Sequence, residues 1–512
     1  MAAVFKQDSN TTGTRISEET SFKVANGSAV WHAIEPNSFG EARATFTKVA
    51  RSPIFDDRQR KKGTLTDLDA AFGFNSDLTQ HNHEFMFEGL MRARYQAQVE
   101  VPDALTTTAN TITFAAGGDA LVPGDLVVLR GSEFNDGVVF HVTAAVAATV
   151  TVSETLVVET LPTGTNLIKV GVQAGAGDIT IDASGGLPLL KSTVLDFTAD
   201  INLQPGMFIW IGGDAAGTIF PTNAANNAAV RVRRVVDANT VELDKATKGA
   251  LVTESPGAAT IELYLGRLLK NQTGSSIVHP TYQIERTLGA PDDALPAQIQ
   301  SEYFTGCVYQ KATINYNPAD KITVDSVFLS ADHEVRTGAV GVKAGTRPSI
   351  ESDDGQNTTS DLVRIRLAQH TAGNEAPSAL VAFVERLSLD VDNGDTPLKA
   401  LTVLGAIQHS PADFMVTGSM DAYFAEIAVI DAVRNNVSCT LDLMNFKSNA
   451  GWVVDLPLIT LNDGGLKVEK DNPIMIPIGF DAASGEEIDT NLDYTAAFTF
   501  FDYLPTLAAT PN

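Results

Sequence analysis

Residues Asp67–Thr79 read DLDAAFGFNSDLT. The even positions are Leu68, Ala70, Phe72, Phe74, Ser76 and Leu78, and the odd ones are Asp67, Asp69, Ala71, Gly73, Asn75, Asp77 and Thr79. Successive side chains point to opposite faces of a strand, so this period of two predicts an extended strand with one apolar face and one acidic or small face. The period returns at Leu387, Leu389 and Val391 against Ser388, Asp390 and Asp392, and at Val437, Cys439, Leu441 and Leu443 against Ser438, Thr440 and Asp442. Near the C-terminus Tyr494, Ala496, Phe498 and Phe500 alternate with Thr495, Ala497 and Thr499. Two shorter runs between Lys311 and Leu329 flank Asn317-Pro318-Ala319-Asp320, a hairpin-turn signature. Helical spacing is confined to His83–Tyr95, with Asn82 as its expected N-cap, and to Ala425–Val433. The pattern predicts an all-β core with two short helices closing a sheet edge or barrel end.

The chain has 512 residues, with 36 Lys and Arg against 62 Asp and Glu, for a formal net charge of −26. An excess of carboxylates cannot neutralise phosphates over a broad surface, which excludes a nucleic-acid-gripping protein and docking on an anionic membrane. The hydrophobic fraction of 44% is that of a globular chain. No apolar run approaches the roughly 18 residues of a membrane helix. The first ten residues, MAAVFKQDSN, contain no apolar signal-peptide segment. Cys307 and Cys439 are the only cysteines and read as reduced core residues of a protein made in a cytoplasm.

An internal similarity lies in the first half. Leu121–Gly131 reads LVPGDLVVLRG and Leu203–Gly213 reads LQPGMFIWIGG, with the Pro-Gly pairs 82 residues apart. Each follows an apolar strand (Thr111–Phe114, then Thr193–Phe197) and leads to a hairpin-like segment, Val142–Val152 or Val230–Leu243. The organisation expected is an N-terminal arm over 1–30, a core part over 31–99, inserted β modules over 100–184 and 185–264, and a second core part over 265–512. Residues 100–264 hold 18 acidic and 8 basic residues, a net of −10, which leaves −16 on the remainder. The polar stretch 337–361, rich in glycine, reads as a functional or assembly loop or as an ordinary surface loop.

Catalytic signatures are missing: the chain has no G-x-S-x-G, Walker A, H-E-x-x-H or dinucleotide-binding glycine pattern. No catalytic, metal or cofactor residue is assigned, and no cofactor is expected. His81, His83 and Glu84 are close enough to chelate a metal but read better as a polar turn before the helix. Asp390–Asp395 superficially resembles a calcium loop, yet Gly394 falls at position five and Leu401 at twelve, so Asn393-Gly394 reads as a tight hairpin turn. Asp67 and Asp69 could suggest glycosidase carboxylates but lie on the polar face of a strand. The run Arg58-Gln59-Arg60-Lys61-Lys62 stands out in so acidic a chain, as a hairpin tip or as a contact for an acidic neighbour.

The order of these signals resembles a known family. Ser52-Pro53-Ile54 leads to Arg58-Gln59, then to the strand Phe72–Leu78 and the helix Phe85–Arg92. After the insertion come Ser275–Arg286 (SSIVHPTYQIER), Phe304–Cys307 (FTGC), Val416–Phe424 (VTGSMDAYF) and Gly451–Pro457 (GWVVDLP), and a closing hairpin. This resembles the major tail tube proteins of long-tailed, siphovirus-like bacteriophages over roughly residues 20–95 and 265–505. The resemblance implies a tail-tube-type β-sandwich or barrel core and a virion subunit assembled in the host cytoplasm. It also implies hexameric rings stacked head to tail around a tape-measure protein, with tail terminator and distal tail or baseplate proteins as further partners. Double-stranded DNA would then be a non-adhesive passenger, and no membrane would be bound. Within that frame the lumen-facing carboxylates expected are Asp67, Asp69, Asp325, Asp390, Asp392 and Asp442, and the inter-subunit basic residues Arg58, Arg60, Lys61 and Lys62. Loops and terminal segments such as 337–361 and 1–30 would bridge rings. Alternative readings are another virion structural protein (baseplate component or capsid decoration) and a carbohydrate-binding β protein.

Overall fold

The computed structural model describes residues 12–54, 56, 59–288, 299–348, 353–371, 373–374 and 377–506. The described residues are all-β with two short α-helices, as the alternation requires. It divides into two compact units, one formed by residues 1–93, 272–358 and 386–420, the other by 94–271, 359–385 and 421–512. Residues 265–512 therefore contribute to both.

In the first unit the stretch that opened the sequence reading lies in the strand Gly63–Asp77. It pairs antiparallel with Arg43–Ala50, Pro36–Phe39 and Thr323–Ser330. Thr323–Ser330 forms a hairpin with Gln300–Tyr316 around the expected Asn317–Asp320 turn, and Val384–Asp392 pairs on the far side of Gln300–Tyr316. The 17-residue strand Gln300–Tyr316 serves two sheets. Its first half also pairs with Tyr282–Leu288 and Asp332–Thr337, and Gly13–Ser21 extends that second sheet. Gly306, at φ +59°, sits where the strand turns from one sheet to the other, a conformation that costs glycine little.

The apolar faces enclose an aromatic core. Phe72 packs on Phe304 with centroids 5.1 Å apart, and Tyr309 stacks on Phe328 at 4.3 Å. The helix Glu84–Met91 closes it with Met86, Phe87, Leu90 and Met91. Asn82 does not cap this helix: its side chain holds the preceding turn, accepting from Thr79 N and donating to the carbonyl of Asp77. The Asn393-Gly394 turn exists, but it does not join a hairpin across itself. Asn393 is buried and donates to the carbonyls of Leu90 and Tyr309, and the following strand Thr396–Lys399 pairs with Ala406–Ser410.

In the second unit Leu362–Gln369, Cys439–Lys447, Ala450–Asp463 and Met475–Ala483 form an antiparallel series. Ser448 and Asn449 both take positive φ in the tight turn between the middle two strands, the conformation two-residue hairpin loops favour. The second helix is Ala428–Arg434. The strands between residues 100 and 265 build one continuous sheet. Its first half runs Asn166–Gln173, Asp125–Arg130, Val139–Val146, Thr149–Val152, Thr111–Thr113, Thr106–Thr107; its second runs Glu262–Leu265, Phe208–Ile211, Ala229–Asp237, Thr240–Asp244, Leu189–Lys191, Thr180–Asp182. The two halves meet where Asn166–Gln173 pairs with Glu262–Leu265.

Local bonds repeat as well. Gly124 and Gly206 of the Pro-Gly pairs have φ +96° and +92°, and their amides donate to the carbonyls of Val142 and Val232. Asn135 exchanges two hydrogen bonds with the backbone of Val157, and Asn226 does the same with Val252. Two residues further on, Glu159 and Glu254 each accept a hydrogen bond from that asparagine's side chain and from a backbone amide of the loop that carries it.

Candidate functional site

The register of the first unit places Asp325, Asp390 and Asp392, three of the expected acidic residues, on one solvent-facing surface. Asp325 stands opposite Asn75 on one neighbouring strand and Thr313 on the other, and Thr313 in turn stands opposite Asp390. The next rows bring together Asp77, Thr323, Asn315 and Ser388, and then Lys311 with Asp392. The face is polar where Asn75, Asp77, Thr323, Asp325, Lys311, Thr313, Asn315, Ser388, Asp390 and Asp392 alternate with residues such as Phe74, Val324, Ile314 and Leu389 that point to the core, and it turns apolar or small at Ala71, Gly73, Val327 and Leu329.

Hydrogen bonds hold these carboxylates in place. Asp325 accepts from Asn75 and Asn315, each at 2.8 Å. Asp390 accepts from Thr313 and lies 3.1 Å from Lys311 Nζ, and Asp392 accepts from Gly394 N at 2.7 Å. Asp325 is exposed, and Asp390 and Asp392 are half-buried. Asp67 and Asp69 lie further along Gly63–Asp77, where Lys399 Nζ bridges them. That ammonium holds the Asp67 carboxyl below its usual range, and the two carboxylates raise Lys399 in return.

Asp442 departs from the sequence expectation. It is only 1% exposed, 2.7 Å from Arg364 Nε and 3.7 Å from Lys245 Nζ. Alternation made its face polar, but in the fold that face is covered by other charged side chains instead of water, so Asp442 cannot line a channel.

The polar face of Cys439–Lys447 is part of a buried charge network that sequence reading missed. Arg231 binds Asp244 through two nitrogens at 2.8 and 2.6 Å and Asp455 through a third at 2.8 Å. Lys245 Nζ lies 2.5 Å from Asp455, which also accepts from Tyr494 at 2.7 Å. Burial pushes the Asp455 carboxyl up, but Arg231 and Lys245 outweigh it and hold it at about 2. Burial likewise opposes the Arg231 charge, and Asp244 and Asp455 leave the guanidinium well above its ordinary value. The available signal was one aspartate inside the apolar run Trp452-Val453-Val454-Asp455-Leu456, a place a carboxylate occupies only when paired.

Arg60, Lys61 and Lys62 are exposed at the tip between Arg43–Ala50 and Gly63–Asp77; Arg58 lies outside the described residues. That hairpin also exposes Phe46, Val49, Ile54 and Leu65. His81 and His83 serve different partners. His81 pairs with Asp353 at 2.7 Å, whereas His83 is buried against Ser76 Oγ and held neutral down to about 3 by burial. Much of the 337–361 stretch is tied to its own unit: Arg347 and Lys343 bond Glu285 and Gln283, and Gln356 exchanges backbone bonds with Leu78 and Ile322.

Residues 249–482 match the family model described as phage tail tube protein. The matched segment carries Asp325, Asp390, Asp392 and the buried Asp442, and it begins after Asp67, Asp69 and the basic tip. No curated protein matches the chain. The match, on an all-β fold of antiparallel sheets, supports a phage tail tube protein.

Proposed function

We propose that this chain is a structural, non-enzymatic subunit of the tail tube of a long-tailed bacteriophage. It assembles in the host cytoplasm into hexameric rings that stack head to tail around a tape-measure protein, ending on terminator and distal tail or baseplate proteins. The observation that carries this reading is the family match over 249–482, a segment that includes Asp325, Asp390 and Asp392. Asp67, Asp69, Asp325, Asp390 and Asp392 turn toward the lumen. Carboxylates repel the phosphate backbone, so double-stranded DNA meets no attractive site and slides through during ejection. Salt screens this field within about 10 Å, so it acts where DNA runs close to the wall. The basic tip at Arg58, Arg60, Lys61 and Lys62 contacts an acidic neighbouring subunit, and the 337–361 stretch and the N-terminal arm contribute to ring stacking. The two modules within 94–271 are duplicates of one β unit, decorating the tube.

Negative-stain microscopy of the purified protein tests the reading. Rings or hollow tubes are expected, and a chain that stays monomeric at high concentration overturns it. Replacing Asp390 and Asp392 with Asn should leave assembly intact and slow DNA release from particles carrying the variant.

A further inference from the structure

The two inserted modules carry a basic side chain at the same place. The amides of Gly124 and Gly206 donate to Val142 and Val232, and His141 and Arg231 immediately precede those acceptors. Each cation pairs with a carboxylate at the end of its own hairpin: Glu154 lies 2.5 Å from His141 Nδ1, and Asp244 lies 2.6 Å from Arg231 Nη2. Each then reaches a second carboxylate outside its own module. His141 Nε2 lies 2.9 Å from Glu262, on the strand Glu262–Leu265 of the second module, and Arg231 reaches Asp455 on the strand Ala450–Asp463. Glu262 is buried and also accepts from Tyr264 Oη at 2.7 Å and Gln173 Nε2 at 3.2 Å, so it sits on the seam where the two modules pair.

We propose that His141 is a pH-releasable fastener of the seam between the inserted modules, the titratable counterpart of the permanent fastener Arg231. Both ring nitrogens of His141 face carboxylate oxygens, so both bonds exist only when the ring is doubly protonated. Loss of one proton leaves a lone pair facing a carboxylate and removes one charge-assisted bond. Arg231 cannot lose its charge in this way. The groups that face the ring are Glu154 and Ser153 from its own hairpin, Glu262 and Tyr264 from the second module, and Gln173 from the adjoining strand. The ring stands between the two carboxylates, which share its single positive charge when both nitrogens are protonated.

The bond to Glu262 holds the imidazolium above its ordinary range; burial opposes this and Glu154 adds to it. A folded value above the unfolded one means that the fastener contributes fully below about pH 6.5 and is lost as pH rises through the raised value.

Hydrogen exchange of the full-length protein, corrected for intrinsic rates and run from about pH 6 to about pH 9, reads the seam strands Asn166–Gln173 and Glu262–Leu265, with the His141 ring followed by NMR. Seam protection should fall about tenfold as His141 titrates, the size of one charge-assisted bond, while Ala229–Asp237 around Arg231 stays constant. His141→Arg should keep the seam protected at every pH, and His141→Gln should show the alkaline level throughout. The proposal is overturned if seam protection ignores the His141 titration, or if His141→Arg retains the wild-type pH dependence. The wild-type titration and the arginine variant decide the matter even if the glutamine variant fails to fold.

Discussion

The strands Val384–Asp392 and Cys439–Lys447 share a pattern over Leu387–Asp392 and Cys439–Leu443, where apolar residues alternate with Ser, Thr or Asp. In the first, Asp390 and Asp392 meet solvent beside Lys311. In the second, every residue from Cys439 to Phe446 is buried, and Asp442 is enclosed by Arg364 and Lys245. The same period of two thus serves a wet face and a dry one. What differs is the cover: among the described residues the first face stays open to solvent, whereas the charges of the second are matched by Arg364 on Leu362–Gln369 and by Lys245. A carboxylate in water needs no partner, but one taken out of water is stable only with its countercharges in place.

Substitution separates the two faces most sharply at Asp455. Asp455→Ala strips Arg231 and Lys245 of their shared carboxylate and should destabilise the protein by about 3–5 kcal/mol in urea unfolding. Acid titration sharpens the same point. The folded Asp455 value of about 2 lies below the unfolded one, so its stabilisation is complete above the ordinary carboxylate range and is lost only as pH falls toward about 2. Next in size is Asp442→Asn, which keeps the shape but removes the charge facing Arg364; a loss of about 1–3 kcal/mol is expected. Asp390→Asn, read from sequence as the equivalent change, should cost less than about 1 kcal/mol by the same measurement. Equal losses at Asp442 and Asp390 would erase the distinction between the faces. The smallest effect belongs to Lys399→Ala, which should let the Asp67 carboxyl rise toward its ordinary value in an NMR titration without altering the fold.

Much of the architecture was legible in the chain because it rests on local rules. Phe72 and Phe74 alternate with Gly73 and Asn75 and so declared a strand with one buried face, and Asn317–Asp320 declared the hairpin turn. Boundaries were less legible. Ala425–Val433 became Ala428–Arg434, and Asn82 spends its side chain on the preceding turn, since several backbone groups compete for one amide and spacing does not rank them. The Asn393 turn was visible, but its burial beneath Leu90 and Tyr309 depends on a helix about 300 residues away in sequence.

The sequence by itself determined that this is an all-β protein, that its strands have unlike faces, and that two segments around Pro-Gly pairs repeat each other. Those properties follow from the alternation of side chains and from the few residues that tolerate a tight turn. Only the tertiary structure decided which polar faces meet water. It placed Asp325, Asp390 and Asp392 on an open surface, sealed Asp442 and Asp455 among cations, and set His141 between Glu154 and Glu262. Alternation states that two faces differ; solvation and charge pairing, set by residues on other strands such as Arg364 for Asp442 and Arg231 for Asp455, determine what each face contacts.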